Sequence, residues 1–214
     1  MTMQPTEAAI TDRSAGRAPG RPRQTDVEPR CYAAVLELFG QHGWAGLSLD
    51  AVATHAGIGK STIYLRWKTK RALLLDAIRY FETRRENPVD DGQPLREYLI
   101  EYCLTLGRLL LGPHGPTMLH IAAGAITHPE DFHEIRRESI TRGTLPIAAR
   151  ILRAVIDGEL PEGTDSGQLL DMIEGSLVFH LVIAPLGATR EELGADLERY
   201  VTTLVDKALR TAID

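Results

Sequence analysis

Aromatic residues make up only 6% of this 214-residue chain. That is few for a β-sandwich, whose strands favour aromatic and β-branched side chains. Cysteine occurs twice, at Cys31 and Cys103. Two isolated cysteines build neither a disulfide framework nor a zinc site, and they suit a reducing compartment. No apolar run approaches the roughly 20 residues that a membrane helix needs. Met1–Gly20 lacks the apolar stretch of a secretory signal. No repeat of fixed period is present, and no Ser-His-Asp or Cys-His grouping suggests catalysis. These absences predict a cytoplasmic protein with no membrane partner, no metal, no cofactor and no enzymatic activity.

What is present is a chain that is 43% hydrophobic and 25% charged, enough for one or two domains with a real core. Its net charge of −5 is unevenly spread. From Arg17 to Arg71 nine basic residues face four acids, a net +5; from Phe81 onward thirteen face twenty-two, a net −9. A basic first third joined to an acidic remainder predicts that the first part meets a polyanion.

The pattern is helical almost throughout. Residues 1–26 are polar and rich in Pro, Gly, Thr and Arg, which predicts a flexible basic arm. Tyr32, Val35, Leu36 and Phe39 form a first helical stripe closed by Gly40 and Gly43. Ser48 can cap a short helix carrying Leu49, Val52 and Ala53, with Asp50 in its dipole-favoured first turn. Gly57 ends it. A second short helix runs from about Lys60 to Trp67, and another carries Leu73, Leu74, Ala77, Ile78 and Phe81. Further stripes follow, among them Leu95, Leu99, Tyr102 and Leu106, then Leu169, Ile173, Leu177 and Leu181, and finally Leu193, Leu197, Val201, Leu204 and Val205. The expected fold is all-α, with about nine helices.

One stretch, "THAGIGKSTIYLRW" from Thr54 to Trp67, contains the letters of a phosphate-binding loop. A Walker A loop needs a glycine five residues before Gly59 and a buried strand ahead of it. Thr54 stands at that position, and "LDAVATHA" reads as helix. A helix, a tight turn at Gly57-Ile58-Gly59 and a second helix instead read as a helix-turn-helix. In that motif small polar groups at the start of the second helix meet base edges in the major groove. Lys60, Ser61 and Thr62 supply them, while Ile63 and Trp67 face the core. Tyr64, Arg66 and Lys70 are placed to reach phosphates. The competing reading is an ordinary helical hairpin with a solvated polar face.

The stretch "LSLDAVATHAGIGKSTIYLRWKTKRALLLDAI", Leu47 to Ile78, resembles the DNA-binding domain of the TetR/AcrR family of bacterial transcriptional repressors. The likeness rests on Ser48, the Ala56-Gly57 pair, Ile58, the run Thr62-Ile63-Tyr64, Trp67, Lys70 and the Leu73-Leu74 pair. Lys68 departs from a common Pro or Gly, and Leu65 from a common polar or aromatic residue. The resemblance implies that Lys60, Ser61 and Thr62 read bases and that Ser48, Tyr64, Arg66 and Lys70 hold phosphates. It further implies that Gly59 lets the helix approach the DNA backbone. In the arm, "PGRPR" is similar to an AT-hook core, which would send Arg21 and Arg23 into a narrow minor groove.

The resemblance also implies three segments: an arm at 1–26, a helix-turn-helix domain at 27–72, and a ligand-binding and dimerisation domain at 73–214. A homodimer would bind a pseudo-palindromic operator in double-stranded DNA and be released by a small-molecule effector. The candidate pocket residues, Tyr98, Tyr102, Leu106, Met118, Ile121, Phe132, Ile135 and Phe179, favour a hydrophobic effector. The candidate dimer interface comprises Leu169, Ile173, Leu177, Leu181, Leu197, Val201 and Leu204. "HPEDFHE", His128 to Glu134, lacks the i, i+4 histidine pair of a zinc helix. Two alternatives belong to other classes: a helical small-molecule-binding protein without an operator, and a nucleotide-dependent enzyme using "GIGKST".

Overall fold

Side-chain caps written in the sequence set four of the helix starts. Ser48 Oγ accepts from the backbone N–H of Ala51 and Thr69 Oγ1 from that of Ala72, each at 3.1 Å. Asp165 accepts from Gly167 and Gln168 at 2.8 and 3.0 Å. Thr189 and Glu192 cap each other reciprocally, at 2.7 Å and 3.2 Å. The resulting computed structural model describes residues 26–84, 88, 90, 92–183 and 187–213, with no side chain described for residue 213. Its helices are α1 (Val27–Gly46), α2 (Leu49–His55), α3 (Lys60–Arg66), α4 (Lys70–Glu82) and α5 (Leu95–Leu111). They continue as α6 (Gly115–Thr127), α7 (Pro129–Ser139), α8 (Leu145–Ile156), α9 (Ser166–Val178) and α10 (Arg190–Ile213). Among the described residues there is no strand.

Two π turns extend this set. Ile140–Thr144 joins α7 to α8 without a break, and Phe179–Ile183 prolongs α9. Pro146 lies just past the π turn and has no N–H to give to the ladder that runs on into α8. The first helix runs past the expected glycine stop. It passes straight through Gly40 and reaches Gly46, with a kink where Gly43 adopts φ +63°. Gly40 serves packing instead, since a Cβ there would stand 3.0 Å from Thr117 Oγ1 of α6.

Two apolar cores organise the chain. The first is built from α1–α4 and receives Phe132 and Ile135 from α7. The second holds the inner faces of α5, α8, α9 and α10. The boundary expected after residue 72 therefore falls inside α4. Leu73, Leu74, Ala77 and Ile78 all pack in the first core, so α4 belongs with the helices before it. No described helix is long and apolar enough to cross a membrane.

Candidate nucleic-acid interface and adjoining cavity

The turn between α2 and α3 is a Schellman motif. Gly57 donates to the Thr54 carbonyl at 3.1 Å and Ile58 to the Ala53 carbonyl at 2.8 Å. Gly57 takes φ +62°, the left-handed region that favours glycine. Arg30 of α1 closes the turn from outside: its Nη2 donates to the Ala56 carbonyl and lies 3.5 Å from that of Gly57. This guanidinium satisfies the carbonyl end of α2 and ties it to α1. Nothing in the sequence pattern flagged Arg30.

Helix α3 then divides by side. Ile63 and Trp67 are buried, and Trp67 Nε1 donates to Asp76 Oδ2 at 2.9 Å. Opposite them Gly59, Lys60, Ser61, Tyr64 and Leu65 are exposed, Leu65 at 76%; Thr62 is half-buried. Gly59 has φ −62° and an added Cβ would meet nothing closer than 3.7 Å, so its backbone does not demand glycine. Ser48 is exposed; its oxygen accepts the capping N–H, and its O–H proton is left for another acceptor.

Asp50 links the two short helices. Its Oδ2 lies 2.6 Å from Lys60 Nζ, and its Oδ1 accepts from the Tyr64 hydroxyl at 3.1 Å. Lys60, and then Tyr64, hold the Asp50 carboxyl below its ordinary range; Asp50 in turn holds the Lys60 ammonium and the Tyr64 phenol above theirs. The sequence reading gave Asp50 only a helix-dipole role.

Two expected phosphate ligands point elsewhere. Arg66 folds back, donating to the Thr62 carbonyl at 3.3 Å with its Nε 3.9 Å from Glu28. Lys70 donates to the Trp44 carbonyl at 2.6 Å, and its ammonium lies 4.2 Å from the Trp44 ring centroid. Arg21 and Arg23 lie outside the described residues.

Behind this face lies a cavity of ≈ 390 Å³ between the two cores. Helix α4 contributes Ile78 and Phe81, and α6 contributes Met118, Ile121 and Ile126. Tyr102 and Leu106 come from α5, Glu174 from α9, and Ser139 to Thr144 close one side. The Tyr102 hydroxyl donates to Glu174 Oε1. The His114 ring stands edge-on to Phe81, and its buried Nδ1 has no hydrogen-bond partner among the described residues.

Of the eight expected pocket residues, Tyr102, Leu106, Met118 and Ile121 line this cavity. The other four do not. Phe132 and Ile135 are buried in the first core, where the Phe132 ring packs on Phe39 and Trp44. Tyr98 is buried in the second core, 5.8 Å from the Arg150 guanidinium, and Phe179 is 58% exposed.

Asp131 and Glu134 of "HPEDFHE" bind protein groups, as does Glu138 just beyond it. Asp131 accepts from Trp44 Nε1 at 3.1 Å. Glu134 pairs with Arg71 at 2.9 Å and with Arg79 at 3.2 Å. Glu138 pairs with Arg142 at 2.9 Å and then with Arg79 at 3.1 Å, which keeps its carboxyl below the ordinary range. These bonds join α7 to α1 and α4, and no metal-holding cluster occurs among the described residues.

The expected dimer stripe is occupied by the chain itself. Leu169, Ile173, Leu177, Leu181, Leu197 and Val201 are buried in the second core, and Leu204 packs half-buried against it. Their spacing marks a buried face, and α5 and α8 fill it from within the same chain. The outward side of α9 and its π extension instead exposes Met172, Phe179 and Ile183, and Gly175 there has nothing within 4 Å of an added Cβ.

Comparison with known proteins agrees with this architecture. The family model for bacterial regulatory proteins of the tetR family matches residues 32–77, and that for the tetracyclin repressor-like C-terminal domain matches residues 89–201. A DNA-binding transcriptional repressor, TetR, of Mycobacteroides abscessus is 30% identical over 85% of this chain and 90% of its own. An uncharacterized HTH-type transcriptional regulator of Mycobacterium tuberculosis is 29% identical over 87% of this chain and 89% of its own. The crystal structure of MexZ, a repressor from Pseudomonas aeruginosa, shares the fold with a TM-score of 0.66 at 17% identity, covering 86% of this chain and 95% of that one.

Proposed function

The chain belongs to the tetR family of bacterial regulatory proteins, which are DNA-binding transcriptional regulators and not enzymes, and from that premise we propose a homodimeric repressor released by a small effector. The observation that carries the DNA-binding face is the division of α3. Ile63 and Trp67 are buried on one side, while Lys60 and Ser61 stand exposed at its start and Tyr64 one turn on, beside Asp50. A helix so divided can enter a major groove, with its first residues toward base edges. Ser48 fits a phosphate contact through its remaining proton. In this reading Arg66 and Lys70 hold the small domain together and do not grip phosphate.

A homodimer suits a two-fold site, where two copies of α3 about 34–36 Å apart would read successive turns of a pseudo-palindrome. The surface that fits is the outer side of α9, with Met172, Phe179 and Ile183 around the open Gly175. The effector would occupy the cavity, whose wall is mostly apolar. Ile78 and Phe81 in that wall belong to α4, and α4 carries the tie of Asp76 to Trp67 and of Lys70 to Trp44. A ligand that fits the cavity better in one α4 position shifts the population of domain orientations, and so the half-site spacing.

The test of base reading is Thr62→Ala. Loss of one base contact lowers discrimination at one operator position by roughly 1–3 kcal/mol. Unchanged sequence preference, measured by competition between single-base variants, would remove Thr62 from the reading surface.

A further inference from the structure

We infer that Asp50 is a specificity-determining residue: it holds the Lys60 ammonium and the Tyr64 hydroxyl together, which keeps Lys60 off phosphates and turned to a base edge. This rests on the reading that α3 enters the major groove. A carboxylate on a surface that meets DNA repels the polyanion, so its presence there lowers affinity for every sequence alike. Asp50 is not needed as a cap, because Ser48 already accepts the N–H of Ala51. What it does is bind two side chains of the next helix, at 2.6 Å and 3.1 Å.

Each contact changes what its partner can offer. Lysine alone carries a compact charge on a flexible stem and grips any phosphate within reach. Tethered to Asp50, the ammonium spends one of its three donors and keeps two, which suit the O6 and N7 acceptors of guanine. The Tyr64 hydroxyl has a single proton, and it goes to Asp50. Its oxygen is then an acceptor only, and it cannot donate to a phosphate without breaking the tether. Both residues are thus withdrawn from sequence-blind binding and presented in one fixed arrangement.

The experiment measures binding of the full chain to a duplex chosen from a random pool and to a duplex of scrambled sequence, between 50 and 200 mM salt. The proteins are wild type, Asp50→Asn, Lys60→Met, the double variant and Tyr64→Phe, each first shown to melt like wild type. Asp50→Asn is expected to bind scrambled DNA more tightly, with a salt slope steeper by about 0.9 per protomer as Lys60 reaches a phosphate. Its preference for the chosen duplex falls about tenfold, the scale of one lost base contact. The double variant loses the added slope. Tyr64→Phe, which leaves the net charge alone, lowers the preference without tightening scrambled binding. The inference is overturned if Asp50→Asn tightens both duplexes by one factor, or if the steeper slope survives in the double variant, since Asp50 would then act by repulsion alone. A wild type that binds both duplexes alike overturns the groove reading, and the inference with it.

Discussion

Replacing Gly57 by alanine perturbs the turn that sets α3 against α2. Gly57 has φ +62°, and a non-glycine residue in the left-handed region costs about 1–2 kcal/mol. The new Cβ would stand 2.9 Å from Arg30 Nη2. Arg30 is flexible, but moving it strains its bond to the Ala56 carbonyl, a contact worth about 1 kcal/mol. Together these give a loss of roughly 2–3 kcal/mol. For a chain of this length, where 1 kcal/mol shifts the midpoint by about 2–4 °C, the melting temperature should fall by roughly 4–12 °C. Asparagine tolerates the left-handed region better than alanine, so Gly57→Asn should lose less. Thermal unfolding followed by circular dichroism at one protein concentration measures all three proteins. An alanine variant that melts with wild type, or an asparagine variant that loses as much as alanine, would refute the backbone argument.

Three further outcomes are expected. Lys70→Met should lower stability by about 1 kcal/mol, through loss of its bond to the Trp44 carbonyl and its place over that ring, and should leave the salt slope of DNA binding unchanged; a slope flatter by about one unit per protomer would return Lys70 to the phosphates. Glu138→Gln should destabilise the chain at neutral pH but not in acid: the Glu138 carboxyl is depressed below its ordinary 4.5, so its contribution is full above that value and is lost as pH falls through the lowered one. Unfolding midpoints of both proteins across pH 2 to 7 check this, and a constant gap between them would contradict it. Phe179→Glu should yield monomers in analytical ultracentrifugation, because it puts a charge on the exposed face of the π turn after α9; a dimer of unchanged strength would move the interface elsewhere.

The helices were legible because burial imposes a period. Leu95, Leu99, Tyr102 and Leu106 recur on one face and are all buried. Periodicity says that a face is covered, however, and not by what. The Leu169 to Leu181 stripe looked like a surface for a second copy, and helices of the same chain cover it. Phe132 and Ile135 were assigned to a pocket on their chemistry. They serve the first core because Gly124 lets the Phe132 ring approach α6, where a Cβ would stand 2.6 Å from it. Contacts between residues far apart in sequence, such as Arg30 on the end of α2 or Trp44 on Asp131, leave no local signature. The helix-turn-helix was the easier target, since the Ser48 cap of α2, the turn glycine Gly57 and the small polar start of α3 lie close together in sequence.

The most direct test of a sequence-reading dimer is selection of bound duplexes from a randomised pool, with the full chain at physiological salt. The account predicts an enriched pseudo-palindrome, with half-sites about one helical turn apart and two chains per duplex. A folded sample that enriches no sequence, or only an unpaired half-site with one chain bound, would contradict it.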